Sequence, residues 1–291
     1  MLRSSKLPPI NNLSLEKADN RSVELEVPRI PKEERGIQFF NGKFTIRTAN
    51  RLELREKAYK LLYNIYSEMG IIRNNHSGLW LSIFDALPET TTIIAEDTKG
   101  EILGTLTLVF ESPIGLPADE LYKEKIDEFR AEGRKISEII SFGINETARS
   151  SVKILASLIY SGYLLALRVK NSTDLLVTVS KQYENFYCRS LLFNKVGPVR
   201  KYSKVNGRPT VLLNLPLDLP GKLQNERRIF PLYLLKYSER EELRVAKAIH
   251  NMHRPMSDEE FYVFFIEKSN VWEKSSAEQR DYIKSLYPAS Q

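Results

Sequence analysis

Two apolar strand patterns separated by one apolar helix pattern constrain this 291-residue chain more than any other feature. Between Arg134 and Ile144, residues Ile136, Glu138, Ile140, Phe142 and Ile144 fall on one face of a strand. From Ser151 to about Val169, the residues Leu155, Leu158, Ile159, Leu165 and Ala166 form a helical stripe, and Asp174 to Val179 is a short, nearly continuous apolar strand. Strand, helix, strand predicts a crossover unit with parallel strands. Glu138 is then expected to project among apolar neighbours. Ligands of open sheets bind at the carboxyl ends of parallel strands, so the expected site lies between Phe142 to Ser151 and Ser180 to Tyr187.

The sequence on either side adds antiparallel strands. Lys43 to Ala49 alternates as a strand, and Leu54, Ala58, Leu61, Leu62 and Ile65 predict a helix over Arg51 to Glu68. Thr92 to Glu96 and Ile102 to Phe110, joined by Asp97-Thr98-Lys99-Gly100, read as a hairpin. Helices are expected over Asp119 to Glu132 and Tyr183 to Leu192, and a second hairpin pairs Phe193 to Tyr202 with Thr210 to Leu217 across Asn206-Gly207. The expected order is β, α, β, β, α, β, α, β, α, β, β. Residues 1–35, with Pro8, Pro9, Pro28 and Pro31, read as an extended arm, 36–220 as the main domain and 221–291 as a helical extension. Ser238, and Ser257 followed by Glu260, mark helix starts in the extension. Its aromatic set, Phe261, Tyr262, Phe264 and Phe265, needs a cover, expected to be the main domain.

Composition removes several function classes. With 42% apolar and 27% charged residues the chain is neither disordered nor membrane-embedded, and no run is expected to reach the roughly 18 apolar residues of a membrane helix. Met1 to Pro8 lacks the apolar core of a secretion signal, which predicts a cytoplasmic protein. One cysteine, Cys188, leaves no internal disulfide, and His76, His250 and His253 lack metal-ligand spacing, so no metal is expected. Phosphate-binding glycine loops and the serine-hydrolase elbow are missing. Net charge is +6, yet Asn145 to Arg208 alone holds eleven Lys/Arg against three Asp/Glu, which predicts a basic surface for an anionic partner. Without an RNP, KH or helix-turn-helix pattern, nucleic acid is the least favoured such partner.

Three stretches resemble bacterial long-chain N-acyl amino acid synthases, GNAT-fold acyltransferases related to acyl-homoserine-lactone synthases. They are Gly115-Leu116-Pro117-Ala118-Asp119-Glu120-Leu121-Tyr122 leading to Ser137-Glu138-Ile139-Ile140-Ser141-Phe142-Gly143-Ile144, then Asp174 to Tyr187 closed by Leu191 to Gly197, and Tyr202 to Leu213. Arg254-Pro255-Met256-Ser257 and the aromatic helix after it resemble an extension found in some members. The resemblance implies an α/β (α+β) fold: a GNAT-like mixed, mostly antiparallel sheet with a splayed parallel strand pair, flanked by helices, plus the C-terminal extension. It also implies a lipid-signalling product whose long chain brings peripheral contact with a membrane. Three positions depart from the family pattern: Ser141 replaces an arginine, Tyr183 a histidine, and Leu192 a glycine.

The activity implied is transfer of a long-chain fatty acyl group from a phosphopantetheine thioester to the amine of an amino acid, with no tightly bound cofactor. Asn145 to Ser150 lacks the glycines of a pyrophosphate loop, which favours an acidic acyl carrier protein over acyl-coenzyme A as donor. Glu138 is the expected base, acting directly or through one water; a second reading pairs it structurally with an arginine. The Phe142 and Gly143 N–H groups are expected at the oxyanion with help from Ser141, and Tyr187 or Tyr183 at the leaving thiolate. Phe142, Gly143, Ile144, Arg149, Ser150, Val179, Ser180, Tyr183 and Phe186 would contact the acyl-pantetheine arm, and Lys153, Lys181 and Arg189 the carrier protein. Cys188 is read as an inert thiol. Competing readings are an acyl-homoserine-lactone-type synthase and a non-catalytic acyl-binding sensor.

Overall fold

The computed structural model describes residues 36–39, 44–148, 151–218 and 238–288. Among them nine strands form one sheet. Strands β1 (Ile37–Phe39), β2 (Phe44–Thr48), β3 (Thr91–Asp97), β4 (Ile102–Phe110) and β5 (Ile136–Ile144) follow one another antiparallel. β5 then pairs in parallel with β6 (Asp174–Ser180), which is antiparallel to β9 (Arg208–Pro216). The short strands β7 (Asn194–Lys195) and β8 (Arg200–Tyr202) both pair with β9. This is the mixed, mostly antiparallel sheet with one parallel pair that the family resemblance implies.

Turn chemistry places the strands. At the β3–β4 turn the Asp97 carboxylate accepts the N–H groups of Lys99 (2.8 Å) and Glu101 (2.9 Å). Between β8 and β9, Asn206 (φ +58°) and Gly207 (φ +69°) both take the left-handed conformation that so tight a reversal needs. The strand expected over Phe193 to Tyr202 divides into β7 and β8. The Val196 and Gly197 N–H groups both donate to the Leu212 carbonyl, and Pro198 has no N–H to continue the ladder.

Helix α3 (Val152–Leu164), extended by a π-helical turn over Leu165–Val169, covers one face of the sheet together with α4 (Glu184–Ser190) and α5 (Glu239–Met252). Contrary to the sequence expectation, Val152–Val169 has the length and apolar composition of a membrane span; 67% of it is buried inside the fold, as a central core helix requires. The other face carries α1 (Leu52–Glu68), α2 (Asp119–Ala131) and the C-terminal helices α6 (Asp258–Phe261, continued by a π-helical turn over Tyr262–Glu267), α7 (Val271–Lys274) and α8 (Ala277–Leu286). Phe264 meets the edge of Tyr59 (5.2 Å), and Phe261 stacks on Tyr287 (4.4 Å), whose hydroxyl donates to the Ala86 carbonyl. A buried ion pair, Arg55 to Glu260 at 2.5 Å, joins α1 to α6. Tyr262 alone of the aromatic set faces solvent, at 45% exposure. The arm expected over residues 1–35 and the domain boundary at 220 lie outside the described residues.

One expectation about β5 fails. Its register with β4 shifts between Ser141 opposite Thr107 and Ile139 opposite Leu108, so Ile140 is an unpaired bulge residue. Beyond the bulge the alternation inverts. Ile136 and Ile140 join the core beneath α2 and the C-terminal helices, whereas Phe142 and Ile144 join the core beneath α3.

Candidate active site

The parallel pairing of β5 and β6 is short. It runs from Ile136 opposite Asp174 to Ile139 opposite Val177 and stops. Ser141 to Ile144 then keep only β4 as neighbour, and Thr178 to Ser180 only β9, so a cleft opens between the carboxyl ends of the two strands. The bulge at Ile140 stands where the strands part. Gly143 lies under α1: a Cβ there would come within 2.9 Å of Ile65 Cδ1 and 3.1 Å of Leu62 Cδ2. That close approach brings Tyr66, in the last turn of α1, to the open strand edge. Its hydroxyl accepts the Phe142 N–H (3.2 Å) and donates to the Phe142 carbonyl (3.1 Å). Burial raises the Tyr66 pKa to about 12, so the hydroxyl stays protonated. The Phe142 N–H, expected at the oxyanion, is therefore engaged by Tyr66. Because Phe142 turns both polar groups away from β4, the Gly143 N–H turns toward it, as antiparallel alternation requires.

Glu138 lies in the last paired part of β5, 2% exposed. Its Oε2 accepts the Ala118 N–H at 2.9 Å. Ala118 is held there by the turn before α2: Gly115 adopts φ +70°, and the Asp119 carboxylate accepts the Leu116 N–H (2.7 Å) while Arg130 grips it with two hydrogen bonds of 2.6 and 2.7 Å. Tyr122 anchors the same helix by donating to the Pro198 and Thr210 carbonyls, both at 3.1 Å. Burial pushes the Glu138 carboxyl from an ordinary 4.5 up to about 8; the Ala118 N–H opposes the rise, the Asp119 charge adds to it, and Lys204 and Thr178 oppose it more weakly. Thr178 Oγ1 is itself buried with no well-formed hydrogen bond. Toward the surface, Lys204 pairs with Glu120, and the Tyr202 hydroxyl lies 3.4 Å from the same carboxylate.

The other expected residues divide between two places. Tyr187 is buried, edge-on to Phe186 (5.7 Å) and Phe193 (5.5 Å), and burial together with the nearby Tyr66 and Tyr183 hydroxyls raises its pKa. Tyr183, Phe186, Phe142, Ile144 and Val179 belong to that same core layer. Ser141 is buried opposite Thr107, and Ser180 is half-buried opposite Thr210. Arg149 and Ser150 lie outside the described residues. The groups acting most strongly on Glu138 are Ala118, Asp119, Lys204 and Thr178, not Ser141 or Tyr187. Sequence reasoning missed Tyr66, Thr178 and Tyr202 as site residues; the last two lie inside stretches that carry the family resemblance, whereas nothing in the sequence marks Tyr66.

Residues 57–216 match the sequence model of the N-acyl amino acid synthase FeeM family. The chain belongs to that family. It is accordingly an acyltransferase of the amide-forming kind. The structure of FeeM, an N-acyl amino acid synthase from uncultured soil microbes, is 23% identical and superimposes with a TM-score of 0.52 over 60% of this chain and 91% of its own. TofI, solved in a ternary complex with an inhibitor and MTA, is 16% identical (60% and 92% covered, TM-score 0.46). BjaI, a CoA-dependent acyl-homoserine lactone synthase solved with SAM and isopentyl-CoA, is 13% identical (70% and 96% covered, TM-score 0.46). No curated protein matches the sequence.

In this family member the basic stretch is less exposed as charge than its composition predicts. Arg168 pairs with Glu242 and Glu239, Lys170 with Glu89, Arg200 with Glu124, and Lys204 with Glu120. Arg208 caps the end of α1 through the Met69 and Gly70 carbonyls. Of the residues expected to dock a carrier protein, Lys181 pairs with Glu184 at 2.5 Å, while Lys153 and Arg189 are exposed on the first turn of α3 and on α4. Among the described residues no group of three or more His, Cys, Asp or Glu could hold a metal ion.

Proposed function

We propose that this chain moves a long-chain fatty acyl group from the phosphopantetheine thioester of an acyl carrier protein to the amine of an amino acid or similar small amine, with Glu138 as the base. The observation that carries this reading is a buried carboxyl with a pKa near 8 beside the point where β5 and β6 part. Roughly a tenth of such a group is ionised at pH 7, and it is matched to an amine proton far better than an ordinary carboxylate. The Glu138 carboxylate takes one proton from the acceptor's ammonium. The neutral amine attacks the thioester carbonyl, the C–S bond breaks, and the second proton lost by nitrogen ends on the departing thiolate. Amide and free thiol leave, and Glu138 returns its proton to solvent. Lys204 is a cation whose charge acts on Glu138, and it is available to the acceptor's carboxylate once it leaves Glu120. The acyl chain follows the apolar layer under α3, lined by Phe142, Ile144, Val179 and Tyr187.

Mass spectrometry of lipid extracts tests this directly. A bacterial host expressing the chain should accumulate N-acylated amines that are missing when Glu138→Gln is expressed. Product from both proteins would remove Glu138 from the mechanism. Bound fatty acid with no acylated amine would replace the transferase with an acyl-binding protein.

A further inference from the structure

The hydroxyl of Tyr66 occupies a backbone position on β5, that of Phe142, where the parting of the strands leaves an N–H and a carbonyl without a strand partner. It satisfies both groups at once, as the opposite residue of an antiparallel neighbouring strand would. A chain with two successive amides can make the same two bonds by adding along the open edge, the carbonyl of one accepting and the N–H of the other donating. The phosphopantetheine arm carries amides of that kind. We propose that Tyr66 is a displaceable latch on the donor cleft, holding the Phe142 edge in the free enzyme and giving it up when the arm of the acyl donor takes the same two hydrogen bonds. The inference rests on the reading of the donor as a phosphopantetheine thioester.

The surroundings favour movement of the ring over movement of the helix. The end of α1 is fixed to β9 by Arg208, whose guanidinium donates to the Met69 (2.7 Å) and Gly70 (2.9 Å) carbonyls, and α1 is seated on Gly143 through Leu62 and Ile65. Tyr66 itself is only half-buried and touches Trp80 edge-on at 5.5 Å. Rotation about its side-chain bonds therefore frees the edge without unseating α1, and the motion is reported by Trp80. In the free enzyme the latch satisfies two part-buried backbone groups that the missing strand partner leaves open.

The test uses the full-length protein and a non-reactive donor, S-hexadecyl-phosphopantetheine thioether, with affinity read by calorimetry. Tyr66→Phe keeps the ring and removes the competing hydroxyl. It should bind the thioether about three- to tenfold more tightly than wild type, the worth of the hydrogen bonds no longer displaced. A second measurement uses wild-type Tyr66 in a Trp272→Phe background, which leaves Trp80 as the remaining tryptophan of two. Its emission should change as the thioether saturates the protein. Equal or weaker binding by Tyr66→Phe, with unchanged Trp80 emission on binding, overturns the latch and makes Tyr66 a permanent pin, while the donor reading stands. Thioether binding to neither protein overturns both.

Discussion

Replacing Glu138 by glutamine should stabilise the protein, and by an amount that depends on pH in a calculable way. Burial raises the carboxyl pKa from 4.5 to about 8, so the folded chain holds a proton that the unfolded chain releases between those values. Stability contributed by this group is complete below pH 4.5 and is lost as pH rises toward 8. The loss amounts to about 1 kcal/mol at pH 5, about 3 kcal/mol at pH 7 and about 5 kcal/mol at pH 9, from the ratio of the two proton-binding polynomials at about 1.4 kcal/mol per tenfold. Glutamine is isosteric, still accepts the Ala118 N–H and has nothing to ionise. Urea unfolding of wild type and Glu138→Gln across pH 4–9 should therefore show the variant gaining stability over wild type along that curve. Any fixed difference from the amide itself, such as a bond to Thr178 Oγ1, shifts the curve without changing its slope. A difference flat in pH would refute the claim that this carboxyl is held protonated by burial, and with it the basis for making it the base. A variant at once more stable and inactive is the signature of a group kept for chemistry at a cost to the fold.

Three further outcomes follow from the same geometry. The rate with saturating donor should rise with pH and level off near the Glu138 pKa of about 8; in Lys204→Met the rising limb should move to higher pH, because Lys204 favours the ionised carboxylate, and KM for an acidic acceptor should increase. Glu260→Ala should destabilise the fold by about 3–5 kcal/mol in urea unfolding, since it strands the buried Arg55 guanidinium at the junction of α1 and α6. Arg189→Glu should raise KM for an acyl carrier protein and leave turnover of a short pantetheine thioester unchanged, because Arg189 is exposed on α4 and takes no part in the cleft.

What the sequence discloses of this molecule follows how local each determinant is. The β3–β4 hairpin and the left-handed Asn206-Gly207 turn are set by a few adjacent residues, and the crossover by periodicity within β5, α3 and β6, so all three are legible in the chain. The bulge at Ile140 is not, because it is a mismatch of register between β5 and β4, two strands whose separate patterns are regular. It decides the site nonetheless. By inverting alternation after Glu138 it leaves the carboxyl on the α2 side and sends Phe142 and Ile144 to the α3 side, so the proposed base and the proposed acyl path lie on opposite faces of one strand. Tyr66 escapes notice for the same reason of distance: its partner is 76 residues away. The basic stretch misleads in the opposite sense. The acids that pair with Arg168, Lys170, Arg200 and Lys204 are Glu242, Glu89, Glu124 and Glu120, all outside Asn145 to Arg208, and a local count cannot include them. Charge that is already paired, and cannot be repaired without leaving an acid behind, gains little by meeting an acidic partner. The docking surface proposed for a carrier protein therefore rests on fewer residues than the eleven cations suggest, with Arg189 exposed on α4.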